Sequence, residues 1–369
     1  MTSGRRLGVV VNPIAGMGGR VGLHGTDGAA LAAALSRGAE PVAPLRARRA
    51  LALLRQHLPA DVVVLTAAGA MGGELLHELA WPHLTVHDPA WPTGPDDTGR
   101  TVSAMRSDGV DLVLFVGGDG TARDVLAVLG ADVAVLGVPA GVKMHSGVFA
   151  TSPEAAADAA ARFLADPARV GTVGAEVVDV VEGGGPALLA MARVPAASGG
   201  LQRAKASVQT RDEGDLAALG REIADEMRPQ RLYLLGPGTT VAHVSTALGI
   251  PASLLGVDAV LDGRLIGSDL DETRLRELVT AHPGALLVLG VVGGQGFLLG
   301  RGNQQLSPAV VEAIGADNIV ILAAAGKVAA LQPPVLRVDL GDDAPAAPLS
   351  GYRRVRTGPG HSTVLKIVA

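Results

Sequence analysis

The residues best equipped for chemistry stand together at Gly117-Gly118-Asp119-Gly120-Thr121. One carboxylate sits among three glycines, with a hydroxyl two residues later. Glycines let the backbone turn with positive φ and let a phosphate come close. The free N–H groups of a helix start then point at that anion. A carboxylate inside an anion site is repelled by the anion, so Asp119 should have a role of its own. It would hold Mg²⁺ or take a proton from an attacking hydroxyl. The structural alternative is an Asx turn that only stabilises the loop.

Two elements must position this turn. Before it, Leu112 to Val116 is a short apolar run bounded by turn residues, the pattern of a buried strand. After it, Thr121 stands where a helix N-cap would, ahead of Ala122 to Leu129. Three more glycine-rich loops follow predicted strands, at 12–22, 236–240 and 293–302. Ligands in open α/β sheets collect at the carboxyl ends of strands. In the first loop, Asn12 can accept and donate at once, and Gly16, Gly18 and Gly19 leave room for phosphate. Val21 stands where a dinucleotide fingerprint needs its third glycine, so a Rossmann site is not expected. Gly238 and Thr239 form a similar loop-to-helix junction.

Several polar residues read two ways. Asp27, in Gly25-Thr26-Asp27-Gly28, is a turn residue or a contact to Mg²⁺ or ribose. Lys143 and His145 lie just past a strand end, where a cation neutralises transferred phosphate, or they are a solvated surface pair. Arg301, Asn303, Gln304 and Gln305 cluster between glycines and leucines. Arg301 suits a phosphate, and the amides suit a base or carboxamide edge, which would put the loop on the acceptor side across an interdomain cleft. A solvated loop is the alternative. Arg46, Arg48, Arg49 and Arg55 oppose Leu51, Leu54 and Leu58 and read as the solvated face of an amphipathic helix.

Gly117 to Thr121 resembles the GGDGT signature of NAD kinases, shared in variant form by diacylglycerol kinases and phosphofructokinases. Asn12-Pro13-Ile14-Ala15-Gly16 resembles the NPxSG or NPxAG element of the same superfamily. Gly25 to Gly28, Pro139-Ala140-Gly141-Val142-Lys143-Met144-His145-Ser146 and Gly300 to Gln305 are similar to a branch related to acetoin catabolism protein X. The resemblance runs over most of residues 5–357. It implies an ATP-dependent kinase with Mg²⁺ that carries a phosphoryl group to a hydroxyl of NAD. It also implies a parallel-sheet first domain followed by a β-containing second one. Gly236 to Thr240 bears a loose likeness to the second loop of NAD kinases, TPTGST.

Composition bounds the rest. Hydrophobic residues make up 48% of 369 but aromatics only 2%, so the cores must be built of Ala, Val and Leu. With no cysteine, thiolate metal sites, disulfides and a Cys nucleophile are excluded, which fits a cytoplasmic protein. The net charge of −5 offers no basic footprint for nucleic acid. No apolar stretch reaches the ~20 residues of a membrane helix. The partners that the resemblance implies are ATP and a small acceptor, NAD; a homo-oligomer is expected, with no nucleic acid and no membrane.

Strand and helix patterns alternate through residues 1–150, which predicts an α/β nucleotide-binding domain with a parallel sheet. Val173 to Val181 and Ala187 to Val194 flank Gly183-Gly184-Gly185 and predict a hairpin, the β-rich start of a mixed second domain at 151–340. Alternation then resumes, more α/β than the plain NAD kinase pattern. Strands within 341–369 return to the first domain or cap the second. Three functional classes follow: an NAD kinase-like phosphotransferase, a kinase of another hydroxyl acceptor (nucleoside, sugar or lipid), and a non-catalytic nucleotide sensor.

Overall fold

The computed structural model describes residues 4–19, 21, 29–59, 61–141, 144, 146–180, 186–196, 210–251, 253–292, 296–340 and 349–368. The chain forms two α/β units. The first comprises Met1–Met17, Gly25–Leu31 and Glu40–Ala204; the second comprises Gly18–His24, Ala32–Ala39 and Lys205–Ala369.

The described elements of the first stretch of chain alternate as the apolar pattern requires. They are β1 (Arg6–Val11), α1 (Ala29–Ser36), α2 (Ala43–His57), β2 (Val63–Ala67), α3 (Gly73–Glu78), β3 (Leu84–His87), α4 (Pro95–Ser107), β4 (Leu112–Gly117), α5 (Asp119–Leu129), β5 (Ala134–Pro139), α6 (Pro153–Ala165), α7 (Pro167–Val170), β6 (Thr172–Val180) and β7 (Pro186–Pro195). One sheet runs β3-β2-β1-β4-β5-β7-β6 and is parallel from β3 to β5. Apart from Arg6 at the start of β1, the strands β1, β4 and β5 are apolar because helices cover both faces. Leu7, Val9 and Val11 of β1, with Leu112, Leu114 and Val116 of β4, pack against Ala47, Leu51 and Leu54 of α2. Val10, Val113 and Phe115 face the other way, onto Met105 of α4 and Val125 and Leu129 of α5. Phe115 meets Phe149 edge-on at 5.4 Å, the pairing preferred by aromatic quadrupoles. A side chain at Gly137 would collide with that same Phe149 ring, 2.4 Å away.

The hairpin β6–β7, expected from its sequence at the start of a second domain, lies in this first sheet. It joins where Arg193 of β7 pairs with Ala134 of β5. That bridge and the burial of Ala175, Val177, Ala192 and Val194 against Phe115 and Val125 set its sheet, and no local pattern encodes them. Residues 204–209 lie outside the described residues, and Thr210 opens a helix.

The second unit holds α8 (Thr210–Asp225), β8 (Leu232–Leu235), α9 (Thr239–Leu248), β9 (Asp258–Leu261), β10 (Arg264–Gly267), α10 (Glu272–Ala281), β11 (Leu286–Gly290), β12 (Phe297–Leu299), α11 (Pro308–Ile314), β13 (Ile319–Leu322), α12 (Ala325–Ala329), β14 (Val335–Val338), β15 (Gly351–Gly358) and β16 (His361–Val368). Its sheet runs β10-β9-β8-β11-β13-β15-β16-β14-β12. β8, β11, β13 and β15 are parallel neighbours, and β9 and β16 add antiparallel pairs, so the sheet is mixed. Alternate residues of β8 serve two cores. Leu232 and Leu234 face Leu275 and Leu278 of α10, while Tyr233 and Leu235 face Leu219 of α8 and Val244 of α9. The late strands all join this second sheet, which settles the choice the sequence left open.

Candidate functional site

In the first sheet, β1, β2 and β3 progress to one side and β4 and β5 to the other. The order reverses between β1 and β4, and in open α/β sheets ligands bind outside the carboxyl ends of the strands at such a reversal. Asn12 follows β1 and Gly118 follows β4, so the first two glycine loops flank that reversal. The Asn12 amide N–H donates to the Val116 carbonyl at 2.9 Å. Its side chain joins the loops: Nδ2 donates to Thr121 Oγ1 at 3.0 Å, and Oδ1 accepts from the Ile14 amide at 3.3 Å. Those two bonds fix which end of the amide is nitrogen. They also direct the Thr121 hydroxyl proton away from Asn12.

The helix after β4 starts earlier than the sequence suggested. α5 begins at Asp119, with Gly118 as its N-cap in extended conformation, and Thr121 lies within the first turn. Gly118 caps through its backbone, so Thr121 is not needed as a cap and its hydroxyl serves the Asn12 link instead. Asp119 thus occupies the first helical position, where the helix dipole favours an anion. It is 7% exposed, and its Oδ1 accepts the Ser146 amide at 3.1 Å.

Gly118 is held to glycine by space. Its φ is −120°, so the positive φ expected there is absent. A Cβ at 118 would stand 3.1 Å from the Gly141 Cα, and one at 141 would stand 2.6 Å from the Gly118 Cα. A Cβ at Gly117 would meet Thr121 Oγ1 at 2.3 Å. At Gly120 the nearest atom is an Arg123 guanidinium nitrogen at 3.7 Å, which leaves ordinary room. Gly16 does have positive φ, +82°, and its missing Cβ admits the Ala140 carbonyl.

The loop after β5 completes the cluster. The Ala140 and Gly141 amides both donate to the Gly117 carbonyl, at 2.9 and 3.0 Å. Arg46 of α2, expected on a solvated face, donates from Nη1 to the Pro139 carbonyl at 3.3 Å. The guanidinium therefore stands at the end of β5. Arg48 and Arg49, in contrast, pair with Glu78 and Glu154. Amphipathic periodicity separates a buried face from an outer one, but it does not show that one half-buried arginine sits beside a strand end. Nothing in the sequence singles out Ser146 as a partner of Asp119, because its contribution is a main-chain amide. Lys143, His145 and Asp27 lie outside the described residues.

In the second unit, Gly238 has φ +106° and forms the N-cap of α9, with Thr239 opening the helix. Gly236 lies against Leu289 of β11, where a side chain would collide at 2.8 Å. Gly19 belongs to this unit, and a Cβ there would lie 3.0 Å from Gln304. The loop after β12 is not solvated. Arg301 is 7% exposed, lies 4.6 Å over the Phe297 ring, and has Nε 3.7 Å from an Asp339 carboxylate oxygen. Asn303 is 1% exposed, accepts from the Gly300 amide at 2.8 Å and donates to the Leu298 carbonyl at 2.9 Å. These contacts clamp the loop onto itself. The donors expected to face a ligand are engaged, at least in part, in building the turn. Gly293, Gly294 and Gln295 lie outside the described residues.

No group of three or more His, Asp or Glu side chains suited to a metal occurs among the described residues. No described helix is long and apolar enough to cross a membrane. A family model of the ATP-NAD kinase N-terminal domain matches residues 7–168, and one of the ATP-NAD kinase C-terminal domain matches residues 228–367. The matches do not distinguish an acetoin catabolism branch. No curated protein and no solved structure matches the chain.

Proposed function

We propose that this chain, which belongs to the NAD kinase superfamily, transfers the terminal phosphoryl group of ATP to a hydroxyl of NAD, giving NADP and ADP. The observation that carries this reading is the placement of Asp119. A buried carboxylate opens a helix at the reversal point of a parallel sheet, among glycines and backbone amides suited to phosphate. A protein that only binds nucleotide has little reason to keep a carboxylate there.

Asp119 accepts the proton of the acceptor hydroxyl as its oxygen bonds to the γ-phosphorus and the bond to the ADP oxygen breaks. Within the first unit, Gly118, Gly120 and the Thr121 hydroxyl cradle phosphate, and Asn12 and Gly16 contact the nucleotide. Arg46 adds positive charge at the edge of the cluster. Catalysis on this scheme is positioning and charge neutralisation. Mg²⁺ fits as an ion carried in on the phosphates, since such ions need only one or two protein carboxylates. Asp119 is a described carboxylate that would hold it on the alternative reading, in which the residue is a metal ligand and not the proton acceptor. The ion would neutralise charge on the phosphates. Gly238, Thr239 and the loop of Arg301 and Asn303 belong, on this reading, to substrate binding in the second unit.

The test is a steady-state kinase assay with ATP, Mg²⁺ and a panel of acceptors comprising NAD, nucleosides, sugars and a diacylglycerol. NAD should be phosphorylated best. Asp119→Asn should lower kcat by ~10²-fold or more with little change in ATP affinity measured without metal. Preference for another acceptor would redirect the substrate assignment. Near wild-type turnover in Asp119→Asn would sink the role of the carboxylate, and no turnover on any acceptor would favour a sensor.

A further inference from the structure

We infer that the Ser146 main-chain amide, braced by the β6–β7 hairpin, sets the orientation of the Asp119 carboxylate. This makes it a positioning group for the proposed transfer, and the inference rests on the reading of Asp119 given above.

The described residues on either side of Ser146 are anchored by main-chain hydrogen bonds. The chain leaves β5 after Pro139 and is back alongside it by Val148. At the departing end, the Ala140 and Gly141 amides are tied to the Gly117 carbonyl, the last residue of β4. At the returning end, the Gly137 amide donates to the Val148 carbonyl at 2.8 Å, and the Ala150 amide donates back to Gly137 at 2.9 Å. Phe149 is fully buried against Phe115. Between these ends, the Gly147 amide donates to the Glu176 carbonyl of β6 at 2.7 Å. Ser146 is fully buried, and its amide points at Asp119 Oδ1.

A buried carboxylate on the first turn of a helix can rotate about its side-chain torsions unless its oxygens are engaged. Here the donor is a backbone N–H, which has no side-chain rotamers, and its neighbour is bonded to a strand. The orientation of the carboxylate is therefore preset before substrate arrives. Preset geometry matters because proton acceptance needs the oxygen within hydrogen-bond reach of the attacking hydroxyl. The β6–β7 hairpin thereby braces the residue that carries the chemistry.

The test replaces the N–H by an oxygen and keeps the side chain. Residue 146 is replaced by the α-hydroxy analogue of serine, so an ester stands in place of the amide and the side chain stays. The same exchange at Gly147 removes the donor to Glu176 and serves as a second, more distant variant. Both are made in the full chain, in wild-type and Asp119→Asn backgrounds, and kcat, KM and the melting temperature are measured. The ester at 146 should lower kcat roughly tenfold with KM for both substrates within about twofold. The ester at 147 should act in the same direction and more weakly. In the Asp119→Asn background neither ester should lower kcat further, because the oriented group is already lost. Equal losses in both backgrounds would mean a merely structural role and would overturn the inference. So would an ester at 146 that leaves wild-type kcat intact while Asp119→Asn is damaging. An Asp119→Asn protein with normal turnover would instead overturn the underlying reading of the site, and the inference with it.

Discussion

Gly118→Ala is the smallest change that tests whether the loops after β4 and β5 form one packed unit. The added methyl would sit 3.1 Å from the Gly141 Cα, where ordinary contact begins near 3.4 Å, so one backbone must give by a few tenths of an ångström. Backbone conformation offers no obstacle, since φ at 118 is −120°. Gly141 is not free to retreat, because its amide and that of Ala140 share the Gly117 carbonyl at 3.0 and 2.9 Å. Weakening one of those bonds costs about 1 kcal/mol. Residual crowding costs about another 1 kcal/mol. A loss of about 2 kcal/mol lowers the melting temperature of a unit this size by about 4–8 °C. Because the same loop carries the Ser146 amide, a shift at Gly141 should also disturb Asp119, and kcat should fall roughly tenfold. Scanning calorimetry and initial rates measure both effects. Gly118→Val, with two further methyl groups, should exceed both losses and also block the phosphate of an ATP analogue in a calorimetric titration. A folded Gly118→Ala protein with wild-type melting temperature and turnover would refute the close packing of the two loops as a source of function.

Arg301→Ala removes a guanidinium from over the Phe297 ring and leaves Asp339 without that partner. It should destabilise the second unit by about 2 kcal/mol, read by thermal unfolding. A rise in acceptor KM at unchanged melting temperature would show instead that the side chain acts on substrate. The Gly94 amide bonded to Asp97 holds its carboxyl below the usual carboxylate range, aided by His87 and Arg100 against the opposing effect of burial. A depressed folded-state pKa gives stability that is full above the unfolded value near 4 and is lost as pH falls through the folded one. Asp97→Asn should flatten that acid slope in a pH series of chemical denaturation, and an unchanged slope would remove Asp97 from the acid response.

Local chemistry was legible and distant chemistry was not. Asp119 stood out because its oddity, a carboxylate among glycines, is complete within five residues. The start of α5 was misplaced by three residues because Gly118 caps through backbone geometry, which leaves no side-chain signature at Thr121. The Gly183-containing hairpin was visible as a hairpin. Its sheet was not, because that depends on Ala134 meeting Arg193. Arg46 followed the periodicity of a solvated face and yet reaches Pro139, since periodicity describes one helix and says nothing about its neighbours. Arg301 and Asn303 were found as a polar cluster, but their burial was not foreseen, because glycines and leucines around polar groups suit an exposed loop and a packed turn equally well. Ser146 was out of reach of any residue-type argument, since every residue but proline has the amide it uses.

The way the chain divides has a consequence for how the protein comes to be made. Gly18–His24 and Ala32–Ala39 belong to the second unit together with everything after Lys205. Gly19 lies against Gln304, so residues synthesised early wait for residues synthesised late. During translation the first sheet can assemble once β5 has emerged, since all its pairings from β1 to β5 lie within Arg6–Pro139. The second unit must instead close a loop spanning most of the polypeptide, the kind of long-range contact that slows folding. No single cut in the gene would yield both units intact. An insertion that separated the two would have to respect two early stretches as well as the one late boundary.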